Sequence, residues 1–253
     1  MQESKSTTDS PDRVAGASDY FATTRWTIVV AAGQRSAPEA DRALEDLCSV
    51  YWYPLYVYVR SQGFSKQDAE DLTQGFFARF LKRNYLEGLS AAKGKFRAFL
   101  LAALKHFMLN ERDRNSRQKR GGGNLPLSLD WRNADERYQI EQATALSPDK
   151  LYDRTWAILL LEQVLQRLEN ESTSETNATL YTKLRPFLMV GKSEIPYSQV
   201  ATELGWSEGA LRVAVHRLRR RYRELLRLEI SQTLADPAQV EEEMQALFHA
   251  FSS

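Results

Sequence analysis

Residues 197–227 read YSQVATELGWSEGALRVAVHRLRRRYRELLR. Two helical segments meet at Gly205, and the second runs into a series of arginines. Val200, Ala201 and Leu204 recur at helical spacing and give the first segment an inward face. Ala201 is small where two helices must approach closely. Gly205 can take the positive φ that commonly ends a helix. Ser207 is placed to cap the helix that follows. In that helix Leu211, Val215, Leu218, Tyr222 and Leu225 fall at steps of four, three, four and three, forming one apolar stripe. Ser207, Glu208, Gly209, Arg212, Val213, His216, Arg217, Arg219 and Arg220 lie mostly off it. This is the layout of a helix-turn-helix. The second helix enters the DNA major groove, its early residues reach base edges, and its later arginines suit phosphates. The alternative is an ordinary helical hairpin with a solvated basic face. Turn glycine, cap, stripe and arginines coincide, which favours DNA.

Working outward, charge is distributed in blocks. The chain has 253 residues and a formal net charge of +1. That total hides two basic patches. Residues 95–120 carry eight Lys and Arg against Glu111 and Asp113, a net of +6. Residues 207–229 carry seven Arg against Glu208, Glu224 and Glu229, a net of +4. Residues 231–253 contain no Lys or Arg, and Asp236, Glu241, Glu242 and Glu243 make them −4. Basic patches of this kind mark a polyanionic partner better than the total charge does.

Residues 1–18 are small and polar and are expected to be disordered. Residues 21–33, FATTRWTIVVAAG, read as a short helix or extended arm. Helical spacing begins near Pro38, with Leu44, Leu47, Cys48, Tyr51, Leu55 and Val59 on one face, and Pro54 is expected to kink or divide that helix. In SKQDAEDLTQGFFARFLKR, Ser65 and Asp68 form a capping pair. Acids open that helix and bases close it, as the helix dipole favours. Leu72, Phe76 and Phe80 are its inner stripe. A further helix from Lys95 carries Phe96, Leu100, Ala103, Leu104 and Phe107 and ends in ERDRNSRQKR. The run GGG at 121–123 and the polar residues to 147 read as a linker, long for the interior of a compact domain. Ser147-Pro148 opens the second half as cap and first helical position. Helices follow to about Glu169 and over 180–190. The fold expected is all-α: two small helical domains, 19–120 and 148–232, joined by the 121–147 linker, then an acidic helix over 233–253.

Two blocks besides the helix-turn-helix carry chemistry. Asp68, Asp71 and Gln74 share a polar ridge suited to a basic protein surface; a solvated helix face is the alternative. In residues 95–120 the cations alternate with Phe96, Phe99, His106 and Phe107. Charge plus rings suits melted DNA, where phosphates and unstacked bases are both available. Otherwise the rings are core and the cations a wet face.

The three blocks DAEDLTQGFFARFL, KFRAFLLAALKHFMLNERDRNSRQKR and YSQVATELGWSEGALRVAVHRLRRRYRELL resemble, in order and type, those of bacterial RNA polymerase sigma factors of the extracytoplasmic-function (ECF) group. The resemblance spans about residues 20–230. It implies that Asp68, Glu70, Asp71 and Gln74 bind core RNA polymerase at its clamp helices. It implies that Lys95, Arg97, Lys105, Asn110, Arg112, Arg114 and Arg117 serve the minus-ten promoter element and its melting. Ser207, Glu208, Arg212, Val213, His216, Arg217, Arg219 and Arg220 would then serve the minus-thirty-five element, and the linker would thread toward the RNA exit path. The arm at 21–33, the segment 171–194 and the acidic tail depart from the shortest members of that group.

The expected function is an alternative sigma factor, with core RNA polymerase and promoter DNA as partners and an anti-sigma factor or other regulator as a further one. The rival is a helix-turn-helix repressor or activator that binds duplex DNA without polymerase. No catalytic constellation is visible, so no enzyme activity and no cofactor are expected. Cys48 is the single cysteine, and His106, His216 and His249 lie far apart, so no disulfide and no metal site are expected. No apolar run is long enough to span a membrane and no signal core precedes the fold, which points to the cytoplasm. In the tail, Val240, Met244, Leu247 and Phe251 recur at helical spacing and need a surface to cover them. That surface is either the second domain alone or a basic DNA-binding surface that the tail's acids mask; the balance of −4 and +4 points to the recognition segment.

Overall fold

The structure, a computed structural model, describes residues 38–80, 95–115, 131, 133–142, 146–172, 175–189, 196–234 and 236–252. Helix makes up 88% of these residues and no strand occurs among them, so the fold is all-α. The expected disorder of 1–18, the arm at 21–33 and the GGG run lie outside the described residues.

The helices are α1 Pro38–Ser61, α2 Lys66–Phe80, α3 Phe96–Asn115, α4 Ala134–Gln142, α5 Pro148–Glu171, α6 Glu175–Leu184, α7 Pro186–Met189, α8 Tyr197–Leu204, α9 Glu208–Ser231 and α10 Val240–Ser252. Local chemistry sets several of their ends. Before α2 the Asp68 N–H donates to Ser65 Oγ at 3.1 Å, and the Ser65 hydroxyl donates to Asp68 Oδ2 at 2.7 Å. Ser147 caps α5 through the Lys150 N–H, with Pro148 at the first helical position. Gly205, at φ 66°, ends α8. There the Trp206 N–H donates to the Ala201 carbonyl and the Gly205 N–H to the Thr202 carbonyl, the paired bonds of a Schellman stop. Ser207 caps α9 by accepting from the Ala210 N–H at 3.2 Å.

Helix α1 runs through Pro54 undivided. The residues around it explain why. Tyr53, Leu55, Tyr56, Val57 and Val59 are all buried, so tertiary packing outweighs the lost backbone bond. On α2 the inner face is Ala69, Thr73, Phe76, Phe77 and Phe80, with Leu72 only partly covered.

The main core draws on both halves of the chain. Tyr51, Phe76, Phe96, Trp156, Ile230 and Leu247 belong to one continuous cluster. At its centre the Trp156 indole N–H donates to the Tyr51 hydroxyl at 3.1 Å, and the Tyr51 ring meets Phe96 edge-on at 5.0 Å. A second, smaller cluster contains Leu184, Phe187, Ala201, Leu211 and Val215. Helix α9 therefore serves two cores, its first half the small one and Leu225, Leu226 and Ile230 the main one. The expected division at 121–147 does not coincide with a division between cores, because α5 packs on α1. Part of the expected linker is itself structured. Helix α4 buries Ala134 and Tyr138, and Asp135 joins Arg60 of α1 at 2.9 Å.

Candidate nucleic-acid interface

The α8–α9 pair presents an outward face made by elementary helix geometry. With Leu211 and Val215 buried, the residues on the opposite side of the helix face solvent. Glu208, Gly209, Arg212, Val213, His216, Arg217 and Arg220 are all exposed, as is Ser207 at the cap. Arg212 is held in place: its Nε donates to Glu208 Oε1 at 3.1 Å, and its guanidinium lies 4.6 Å from the centre of the Tyr197 ring. This aims the side chain and pairs it with a carboxylate on the same face. Val213 is 52% exposed and Trp206 38%, so apolar surface sits among the cations. A methyl-bearing base edge suits such a surface.

Arg219 is placed differently from its neighbours on α9. It is half-buried, and its Nε and Nη2 donate to the Phe187 carbonyl at 3.1 and 2.8 Å. It fastens α9 to α7. Farther along α9 the cations meet acids. Arg220 approaches Glu224 at 3.4 Å, Arg221 binds Glu171 with two nitrogens at 2.6 and 2.8 Å, and Arg227 meets Glu241 at 2.8 Å. The Glu171 carboxyl is held below its ordinary pKa, chiefly by the Arg221 hydrogen bond.

On α2, Asp68 and Asp71 are exposed, while Glu70 and Gln74 are partly covered. Asp71 stands three residues from Asp68 on the same side of the helix, so the acidic ridge is formed. Beneath it Thr73 is fully buried, and its hydroxyl has no hydrogen-bond partner.

In the basic block on α3 the phenyl rings follow the second of the two readings, that of core residues. Phe96 and Phe107 are buried in the core, so neither is available to stack on a base. Phe107 meets Phe76 at 5.8 Å, and half-buried Phe99 meets Phe80 at 5.9 Å. His106 is exposed and lies 3.3 Å from Asn110. Arg97 is mostly covered, paired with Glu243 and Asp153, with its guanidinium 4.7 Å from the centre of the Trp156 ring. Desolvation opposes its charge, but the Glu243 hydrogen bond and the charges of Glu243 and Asp153 outweigh that, so its pKa is raised. Lys95 and Lys105 are also paired. Arg112 and Arg114 lie on α3 with side chains outside the described ones, and Arg117 is outside the described residues.

Sequence reasoning missed the α1–α4 contact. Asp135 accepts from Tyr56 and Arg60, Arg60 lies 4.7 Å from the centre of the Tyr138 ring, and Trp131 packs on Trp52 at 4.9 Å. The available signal was Trp131 followed by the acidic helix start Asp135-Glu136. Among the described residues no group of His, Cys, Asp and Glu is arranged to hold a metal ion, and no helix is long and apolar enough to cross a membrane. Comparison with protein-family models, curated proteins and solved structures finds no match to this chain.

Proposed function

We propose that this protein is an alternative sigma factor: it binds core RNA polymerase, recognises promoter elements and helps open the duplex, with no chemistry of its own. The observation that carries the reading is the outward face of α9. Read as the recognition helix of a helix-turn-helix, α9 offers Arg212, Val213, His216 and Arg217 to base edges and Arg220 to a phosphate. The acidic ridge on α2 supports the same reading, since a repressor that binds duplex DNA alone has no use for it. In this reading Asp68 and Asp71 meet a basic surface of the polymerase clamp.

Reversing the charge at Asp71 tests the polymerase contact. Asp71 is exposed, so Asp71→Lys should fold normally. A charge desolvated in a complex typically contributes about 1–3 kcal/mol, so affinity for core polymerase should fall roughly 5- to 150-fold. Unchanged affinity, measured by titration with labelled polymerase, contradicts the assignment.

Within α9 two arginines should behave differently. Arg212→Ala should relax sequence preference by about 1–3 kcal/mol, as expected of a base-reading side chain. Arg220→Ala should weaken specific and random duplexes alike and reduce the salt slope by about one unit. Equal losses on specific and random DNA for both variants would contradict the division of roles.

A further inference from the structure

Between residues 95 and 110 the Lys and Arg residues are Lys95, Arg97 and Lys105. Each is held by an acid from the far half of the chain. Lys95 meets Glu242 at 2.9 Å and Glu243 at 2.8 Å. Arg97 is bound by Glu243 and Asp153. Lys105 is paired with Asp149. The acids come from two elements, the first turns of α5 and the first turn of α10. None of these contacts is local in sequence; Arg97 and Glu243 are 146 residues apart. Every cation here already has a carboxylate where a nucleic acid would place a phosphate oxygen.

The rest of the junction holds those carboxylates in place. On α10, Val240, Met244 and Leu247 are buried in the main core. The Phe96 N–H at the start of α3 donates to the Thr233 carbonyl, just beyond α9, at 3.1 Å. The Tyr152 hydroxyl on α5 donates to the Arg97 carbonyl at 3.0 Å. The start of α3 is thus bound to α5, to the end of α9 and to α10 together.

We propose that α10 and the first turns of α5 form an autoinhibitory latch, whose carboxylates occupy Lys95, Arg97 and Lys105 at and beside the start of α3 until the two halves of the chain separate. This rests on the reading of α3 as a promoter-binding element. Separation moves Val240, Met244 and Leu247 into water and strips Glu243 of its partners. Exposing the apolar residues is unfavourable and favours the closed form in the free protein, while Glu243 regains water as it loses its partners, so its ion pairs contribute little to that balance. Binding of the polymerase supplies the difference, because a partner that engages only the open form shifts the population toward it. Free protein then binds melted DNA weakly, and the cations are released only in the complex that uses them.

Deleting residues 236–253 is the obvious variant, but it uncovers the core beneath α10. The sounder variant is Asp149→Asn with Glu242→Gln. Both side chains are exposed, at 58% and 68%, and both substitutions keep the shape. A third chain adds Glu243→Gln. Each full-length chain is titrated with a fluorescein-labelled single-stranded oligonucleotide of mixed sequence across a salt series, with folding checked by thermal melting. Core polymerase binding is measured in parallel. The double variant should bind DNA roughly two- to fivefold more tightly, the effect expected of removing two exposed ion pairs. Each freed cation adds a slope of about 0.7 in log K against log salt on a single strand; the triple variant frees Lys95 and Lys105 while Arg97 keeps Asp153, so its slope should steepen by about 1.4. The amides of residues 240–252 should also exchange faster with solvent. If the parent chain binds DNA and polymerase while the folded variants show the same DNA affinity and slope, the latch is wrong and the pairs only hold the fold. If no chain, parent or variant, binds either DNA or polymerase, the promoter-binding reading itself fails, and the latch falls with it.

Discussion

Replacing Trp156 with alanine should cost the folded state about 3–5 kcal/mol, the range for truncating a large buried aromatic residue. Trp156 is 1% exposed and sits where the two halves of the chain meet. The substitution removes three things at once. The core loses the indole volume, the Tyr51 hydroxyl loses its donor, and the Arg97 guanidinium loses the ring it lies against. Domains of this size are stable by only about 5–15 kcal/mol, so a large share of the molecules should lose their fold on modest warming. Trp156→Phe separates the contributions. It keeps an aromatic ring and deletes the N–H, so it should cost far less, with about 1 kcal/mol from the lost hydrogen bond. Urea unfolding of the three chains checks the order. Near-equal stability of the parent and the alanine variant would mean that the halves do not share a core.

Arg97→Ala should have a comparable effect, for an electrostatic reason. Glu243 is 1% exposed and Arg97 14%, so their pairing takes place largely out of water. Removing the guanidinium leaves Glu243 buried with only Lys95 as counter-charge, and Asp153 loses its partner. Breaking a buried pair from one side typically costs about 3–5 kcal/mol, whereas replacing both members with well-packed apolar residues can be nearly neutral. Arg97→Met together with Glu243→Met should therefore recover much of the stability lost by Arg97→Ala. A double variant that is worse than the single one would show that the ion pair itself drives folding.

These two expectations rest on contacts that local sequence could not reveal, and other features show why. Ser65 with Asp68, Ser147 before Pro148, and Gly205 followed by Ser207 are stops and caps whose chemistry is complete within a few residues. The Leu211–Val215 stripe is likewise a matter of period, and both residues are buried. Arg97 with Glu243 has no period, because 146 residues separate the partners. Helix α4 was hidden for another reason: its described buried residues are only Ala134 and Tyr138, too few to stand out in a polar segment. Charge blocks pointed the acidic tail to the recognition segment, and that choice of surface is corrected by the contacts the tail makes. It meets Lys95 and Arg97, and from α9 it engages Arg227. Total charge carries no information about geometry, and the apolar stripe of α10 decided the docking site. Phe96 and Phe107 are a similar case. Their spacing suited a core and a stacking surface equally, and only the position of Tyr51 and Phe76 beside them separates the two.

The polymerase claim is tested most directly by size-exclusion chromatography of the full chain mixed with bacterial core RNA polymerase, with Asp71→Lys run beside it. The parent chain should co-elute with the polymerase and the variant should elute mainly free. Separate elution of the parent chain, with retained binding to duplex DNA, would contradict the sigma-factor reading and leave a DNA-binding regulator that works without polymerase.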